Sequence, residues 1–106
     1  MKTKTYNKLV RDKIPDIIEA SGKTCVYETL SDDEYIKLLS AKLLEEVNEY
    51  LESGTIEELA DIGEVMYAIL AYRNVSIEEF RRIRLEKLEA RGGFSKRILL
   101  KEVQED

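Results

Sequence analysis

Apolar positions recur at intervals of three and four along most of this chain, and they mark out separate helices. Tyr35, Ile36, Leu39, Leu43, Val47 and Tyr50 form one broad stripe, the spacing that places side chains on one face of an α-helix. Ser31-Asp32-Asp33-Glu34 precedes the stripe as a capping box. In that motif a hydroxyl and a carboxylate three residues apart satisfy free amides of the first turn. A turn at Glu52, Ser53 and Gly54 closes the helix, and Thr55-Ile56-Glu57-Glu58 opens the next as a second capping box. The helix expected over residues 56–72 is apolar nearly all round, interrupted by Asp61 and Glu64. Such a helix needs cover on every side. A chain of 106 residues has little other mass to give it, so the pattern predicts a dimer or larger assembly, with a bundle completed between chains.

A third capping box, Ser76-Ile77-Glu78-Glu79, opens a helix to about Ala90. It has Phe80, Ile83, Leu85 and Leu88 expected inward, and Gly92-Gly93 ends it. Its other face is laced with charge, from Arg81 and Arg82 to Glu89 and Arg91. A shorter helix is expected at about 12–21, where Ile14, Ile17 and Ile18 give the stripe. Pro15 fits its first turn, and Gly22 stops it. Residues 24–29 (TCVYET) and 94–103 (FSKRILLKEV) read as short extended segments, the second a closing strand that would pair with the first. The fold class is therefore mainly α: an antiparallel bundle of about four helices with short strands near the two ends, in one domain over residues 1–106.

The candidate chemistry lies in KLLEEVNEYLESGTIEELADIGE, residues 42–64. Glu46 with Glu49, and Glu58 with Asp61, are acidic pairs at helical spacing, each on one face of its own helix. A tight turn between the two helices brings the pairs face to face. Facing carboxylates repel unless a cation lies between them, and an all-oxygen cluster suits a hard divalent cation such as Mg2+, with Mn2+ the alternative. Lys42, Glu46 and Glu49 share one flank of the apolar stripe, with Glu45 just beyond, and Glu46 lies closest to its centre. Each acid also has a plainer reading. Glu58 is the third helical position of a capping box, and Glu45, Glu46 and Glu49 are placed as a solvated face would be. Asp61 is harder to explain away, since its helix is otherwise apolar. Lys42, one turn before Glu46, would either contact a phosphate or pair with Glu46.

Composition narrows the chemistry. The chain has no histidine, which excludes Ser-His-Asp and Cys-His catalysis and zinc sites built on imidazole. The single cysteine, Cys25, excludes an internal disulfide and reads as a small hydrophobe. A net charge of −5, with acid and base interleaved, argues against a nucleic-acid polymer or an acidic membrane as partner. No apolar run approaches the roughly 20 residues that span a bilayer, and no N-terminal stretch reads as a signal peptide, so the expected location is cytoplasmic. Carboxylate-held Mg2+ commonly serves phosphate chemistry. The basic residues near the two ends, Lys8, Arg11 and Lys13, then Lys87, Arg91, Lys96 and Arg97, are candidates to bind a polyphosphate. No Walker P-loop and no GxGxxG is present.

KLLEEVNEYLESGTIEELAD resembles the EExxE…ExxD signature of the MazG-like, all-α nucleoside triphosphate pyrophosphohydrolases, a superfamily that includes phosphoribosyl-ATP pyrophosphohydrolase and the dimeric dUTPases. YNKLVRDKIP (residues 6–15) and EKLEARGGF (residues 86–94) are similar to a small single-domain branch described as house-cleaning pyrophosphatases. The resemblance implies hydrolysis between the α and β phosphates, giving a nucleoside monophosphate and pyrophosphate. It implies Glu46, Glu49, Glu58 and Asp61 as Mg2+ ligands, Glu45 as the group that orients water or takes its proton, and Lys42 as the lysine before the motif. It also implies a homodimer or homotetramer. Phosphoribosyl-ATP is the alternative substrate. A helical oligomerisation module, with the acids serving only as caps and surface, is the non-enzymatic alternative.

Overall fold

A computed structural model describes residues 2–105. Four helices follow one another: α1 (Ile14–Ala20), α2 (Asp32–Ser53), α3 (Ile56–Tyr72) and α4 (Ile77–Arg91). The mainly α expectation holds. The strands expected at 24–29 and 94–103 do not form; among the described residues there is no strand. Val26 is fully exposed and Ile98 nearly so. A strand needs a paired neighbour to satisfy its amides and carbonyls, and the alternation in these segments supplies the side chains without the partner.

The chain divides into two compact units, Met1–Asn74 and Val75–Asp106. The first is built on the α2–α3 hairpin. Ser31 caps α2 as its sequence predicts: its hydroxyl accepts from the Glu34 amide at 3.4 Å and donates to Glu34 Oε1 at 3.0 Å. Gly54 ends α2 in the left-handed region, φ 65°, with its amide donating to the Tyr50 carbonyl at 2.7 Å. That conformation is cheap only without a Cβ, and it lets the chain reverse in two residues. Tyr35 at the start of α2 then meets Tyr72 at the end of α3 edge-on, 5.9 Å between ring centres, which sets the antiparallel sense.

The predicted α2 stripe does face the hairpin core. Leu39 is buried at 3% exposure, and Tyr35, Ile36, Leu43, Val47 and Tyr50 are half-buried. From α3, Val65 is buried, with Ile62, Met66, Ile69 and Leu70 half-buried around it. The rest of α3 departs from the expectation of burial on every side. Ile56 is 73% exposed, and Leu59 and Tyr67 are exposed too. One partner helix covers one face, and the other apolar flank stays bare. Of the α1 stripe, Ile14 and Ile18 are half-buried while Ile17 is exposed.

The second unit holds α4 and the stretch after it. Ser76 caps α4, accepting from the Glu79 amide at 3.0 Å, and Arg82 donates to Glu86 at 2.9 Å one turn on. Its expected inward side chains are not covered: Phe80 is half-buried, and Ile83, Leu85 and Leu88 are exposed. No helix among the described residues is long and apolar enough to cross a membrane.

Candidate metal centre

Antiparallel pairing of α2 and α3 places the two acidic pairs of the sequence side by side. One carboxylate oxygen each from Glu45, Glu46 and Glu49 lie within 4.8 Å of one another, and the same holds for Glu46, Glu58 and Asp61. Glu46 belongs to both groups and is the hub. It is the residue nearest the apolar stripe, and only 6% of it is exposed. Its Oε1 lies 3.4 Å from the Lys42 ammonium. Its Oε2 is buried and has no hydrogen-bond partner, and the same is true of Glu58 Oε2. Leaving a buried carboxylate oxygen unpaired costs free energy, so these two atoms call for a proton or a cation.

The plainer reading of Glu58 as a cap fails on geometry. Thr55 makes no side-chain cap on α3. Its hydroxyl turns instead to Ser53, 3.3 Å away, and its amide donates to the Ser53 hydroxyl. Glu58 is thus free to face the cluster.

Electrostatics follow from this crowding. Burial first, then the charge of Glu49, raises the Glu46 carboxyl above the ordinary range, and Lys42 only partly offsets this. Glu58 is likewise raised, by burial and then by Glu49, with Glu46 and Asp61 adding. Glu45 goes the other way. Burial would raise it, but hydrogen bonds from Lys8 and Lys42 outweigh burial and hold it low. Lys8 donates to its Oε1 at 3.2 Å and Lys42 to its Oε2 at 3.3 Å. Arg11 reaches Asp61 Oδ1 at 2.7 Å. Five carboxylates thus meet three cations and fall two charges short of neutral. An all-oxygen donor set with an excess of negative charge is the kind that would suit a hard divalent cation.

No family model matches this chain, and no solved structure matches it. A protein of Mycolicibacterium smegmatis, described as uncharacterized, is 58% identical over 55 residues, which is 52% of this chain and 56% of that protein. The chain therefore aligns with little more than half of that relative's length, and the relative's description names no activity.

The basic residues predicted near the site divide between the two units. Lys8, Arg11 and Lys42 touch the cluster directly. Lys13 is exposed at the start of α1. Lys87 and Arg91 are on α4, with Lys96 and Arg97 after it, all in the second unit. Lys42 does pair with Glu46, one of its two sequence readings, and also with Glu45. Beside the cluster, Asn7, Lys8, Leu9, Leu38, Ala41, Lys42 and Glu45 line a cleft of about 90 Å3. Asn7, Leu9, Leu38 and Ala41 are not among the site residues the sequence marks. The only sequence signal for them is their place near Lys8 and Lys42. Cys25 is half-buried, with its thiol pushed up by burial and then by Glu19, which works against a reactive thiolate.

Proposed function

We propose that this protein is a Mg2+-dependent nucleoside triphosphate pyrophosphohydrolase, cleaving between the α and β phosphates. The observation that carries the reading is the buried, unpaired Oε2 of Glu46, the residue common to both carboxylate groups. Glu46, Glu49, Glu58 and Asp61 would hold the cation. Bound there, Mg2+ supplies charge neutralisation for phosphate oxygens and a more acidic water. Lys42 and Lys8 line the cleft beside Glu45, and there they would hold the polyphosphate. Glu45, kept deprotonated by those two lysines, would accept a hydrogen bond from the attacking water and fix its direction. Water adds at phosphorus, the bridging P–O bond breaks, and the proton passes to a carboxylate of the cluster. The products are a nucleoside monophosphate and pyrophosphate. The similarity of residues 42–61 to the pyrophosphohydrolase signature supports the same reaction, and non-standard nucleotides are the proposed substrates.

Pyrophosphate release from a panel of standard and damaged nucleoside triphosphates, with and without Mg2+, tests this. We expect Mg2+-dependent release with a monophosphate product, abolished in Asp61→Ala while helicity is kept. Asp61 is paired only through an exposed contact, so its removal costs the fold at most about 1 kcal/mol. Turnover near wild type in Asp61→Ala would remove the ligand assignment.

A further inference from the structure

The cations on the acid cluster come from two places with different freedom. Lys42 is fixed on α2. Lys8 and Arg11 arrive on an irregular segment before α1, in which no backbone hydrogen bond is found from Lys4 to Val10 among the described residues. Both of their ion pairs are exposed: Lys8–Glu45 at 3.2 Å and Arg11–Asp61 at 2.7 Å, with Arg11 56% exposed. They hold the segment across the cluster by charge, spanning 37 and 50 residues of sequence. Exposed pairs of this kind are weak. A divalent cation among Glu46, Glu58 and Asp61 would sit about one carboxylate away from the Arg11 guanidinium. Repulsion over that distance exceeds the worth of an exposed pair even at the dielectric of water.

We infer that residues 6–11 form an exchangeable cationic strap. It offsets part of the charge of the acid cluster when no metal is bound, is displaced as a divalent cation enters, and passes Lys8 and Arg11 to the polyphosphate that follows. This rests on the metal-site reading above and adds a regulatory consequence. The strap competes with the metal and cooperates with the polyanion, so each of those two ligands favours the other's binding beyond their direct attraction. Metal alone binds weakly, and the site assembles fully only when both are present.

Calorimetry with two probes tests it: Mg2+ alone, and inorganic tripolyphosphate at saturating Mg2+. The proteins are wild type, Arg11→Ala, the Lys8→Ala/Arg11→Ala double variant, and Lys37→Ala. Lys37 is exposed on α2 and makes no ion pair among the described residues, so it reports the general effect of losing one positive charge. We expect Arg11→Ala to tighten Mg2+ binding about two- to five-fold, the worth of one exposed pair, and the double variant to tighten it further. The same substitutions weaken tripolyphosphate binding. Opposite signs for the two probes, beyond the Lys37→Ala change, support the strap. Shifts of the same sign, or none beyond that control, overturn it while leaving the metal site standing. No Mg2+ binding by any of the four proteins overturns the metal reading and the strap together.

Discussion

Glu46 concentrates the tension of this molecule in one side chain. It is buried, it faces other carboxylates, and one of its oxygens is unpaired. Its raised carboxyl, like that of Glu58, has a consequence for stability. Between the ordinary and the raised range, the folded chain binds more protons than the unfolded one. Stability of the metal-free chain therefore falls as pH rises through that window. Thermal unfolding without metal should show a melting temperature that declines from about pH 4.5 upward, a decline reduced in Glu46→Gln. A melting temperature rising over the same window would mean that the carboxylates are already satisfied. The importance of Glu46 is legible from its place on the helical wheel. Arg11 reads only as a candidate phosphate binder: its pairing with Asp61 joins residues 50 positions apart, and periodicity carries no information over that distance.

At the scale of elements, two of the three capping boxes do what their spelling says and one does not. Ser31 and Ser76 bond the amides of Glu34 and Glu79, while Thr55 caps nothing. Ser31→Ala and Ser76→Ala should each cost about 1 kcal/mol, and Thr55→Ala much less. Chemical denaturation of the three variants separates the cases, and an equal loss at Thr55 would contradict the geometry. The failed box is the one whose glutamate belongs to the acid cluster, so the motif was right about the helix start and silent about the side chain's use. Stripes and caps placed α2, α3 and α4 to within a residue or two, because a helix satisfies its own backbone and its signals are local. The extended segments 24–29 and 94–103 are the misreading, because a strand depends on a neighbour that local sequence does not specify. Gly54 was legible as part of the turn, and its positive φ is the reason a glycine stands there.

The whole molecule is poor in buried core. Among the described residues only Leu39 and Val65 are buried hydrophobics, while Leu44, Leu51, Ile56, Leu59 and Tyr67 of the α2–α3 hairpin are exposed. So small a core gives little stability to set against chain entropy, and the exposed side chains of α2 and α3 need cover. We therefore propose that a second copy covers them, as the all-round apolar pattern of α3 suggested. Size-exclusion chromatography with light scattering should return a dimer or larger, and Leu51→Glu or Ile56→Glu should shift it toward monomer with loss of stability. A stable monomer would show that the hairpin needs no partner.

Whether the carboxylates of α2 and α3 hold a divalent cation is read most directly from the melting temperature of wild type and Glu46→Gln with and without millimolar Mg2+. A ligand that binds only the folded state stabilises it by mass action. At about ten times the Kd this amounts to about 1.4 kcal/mol, or roughly 6 to 11 °C for a chain of this size. Wild type should show such a rise and Glu46→Gln should not, while Glu46→Gln should already melt higher than wild type without metal. Wild type unmoved by Mg2+, or both proteins rising alike, would rule out a cation site on Glu46.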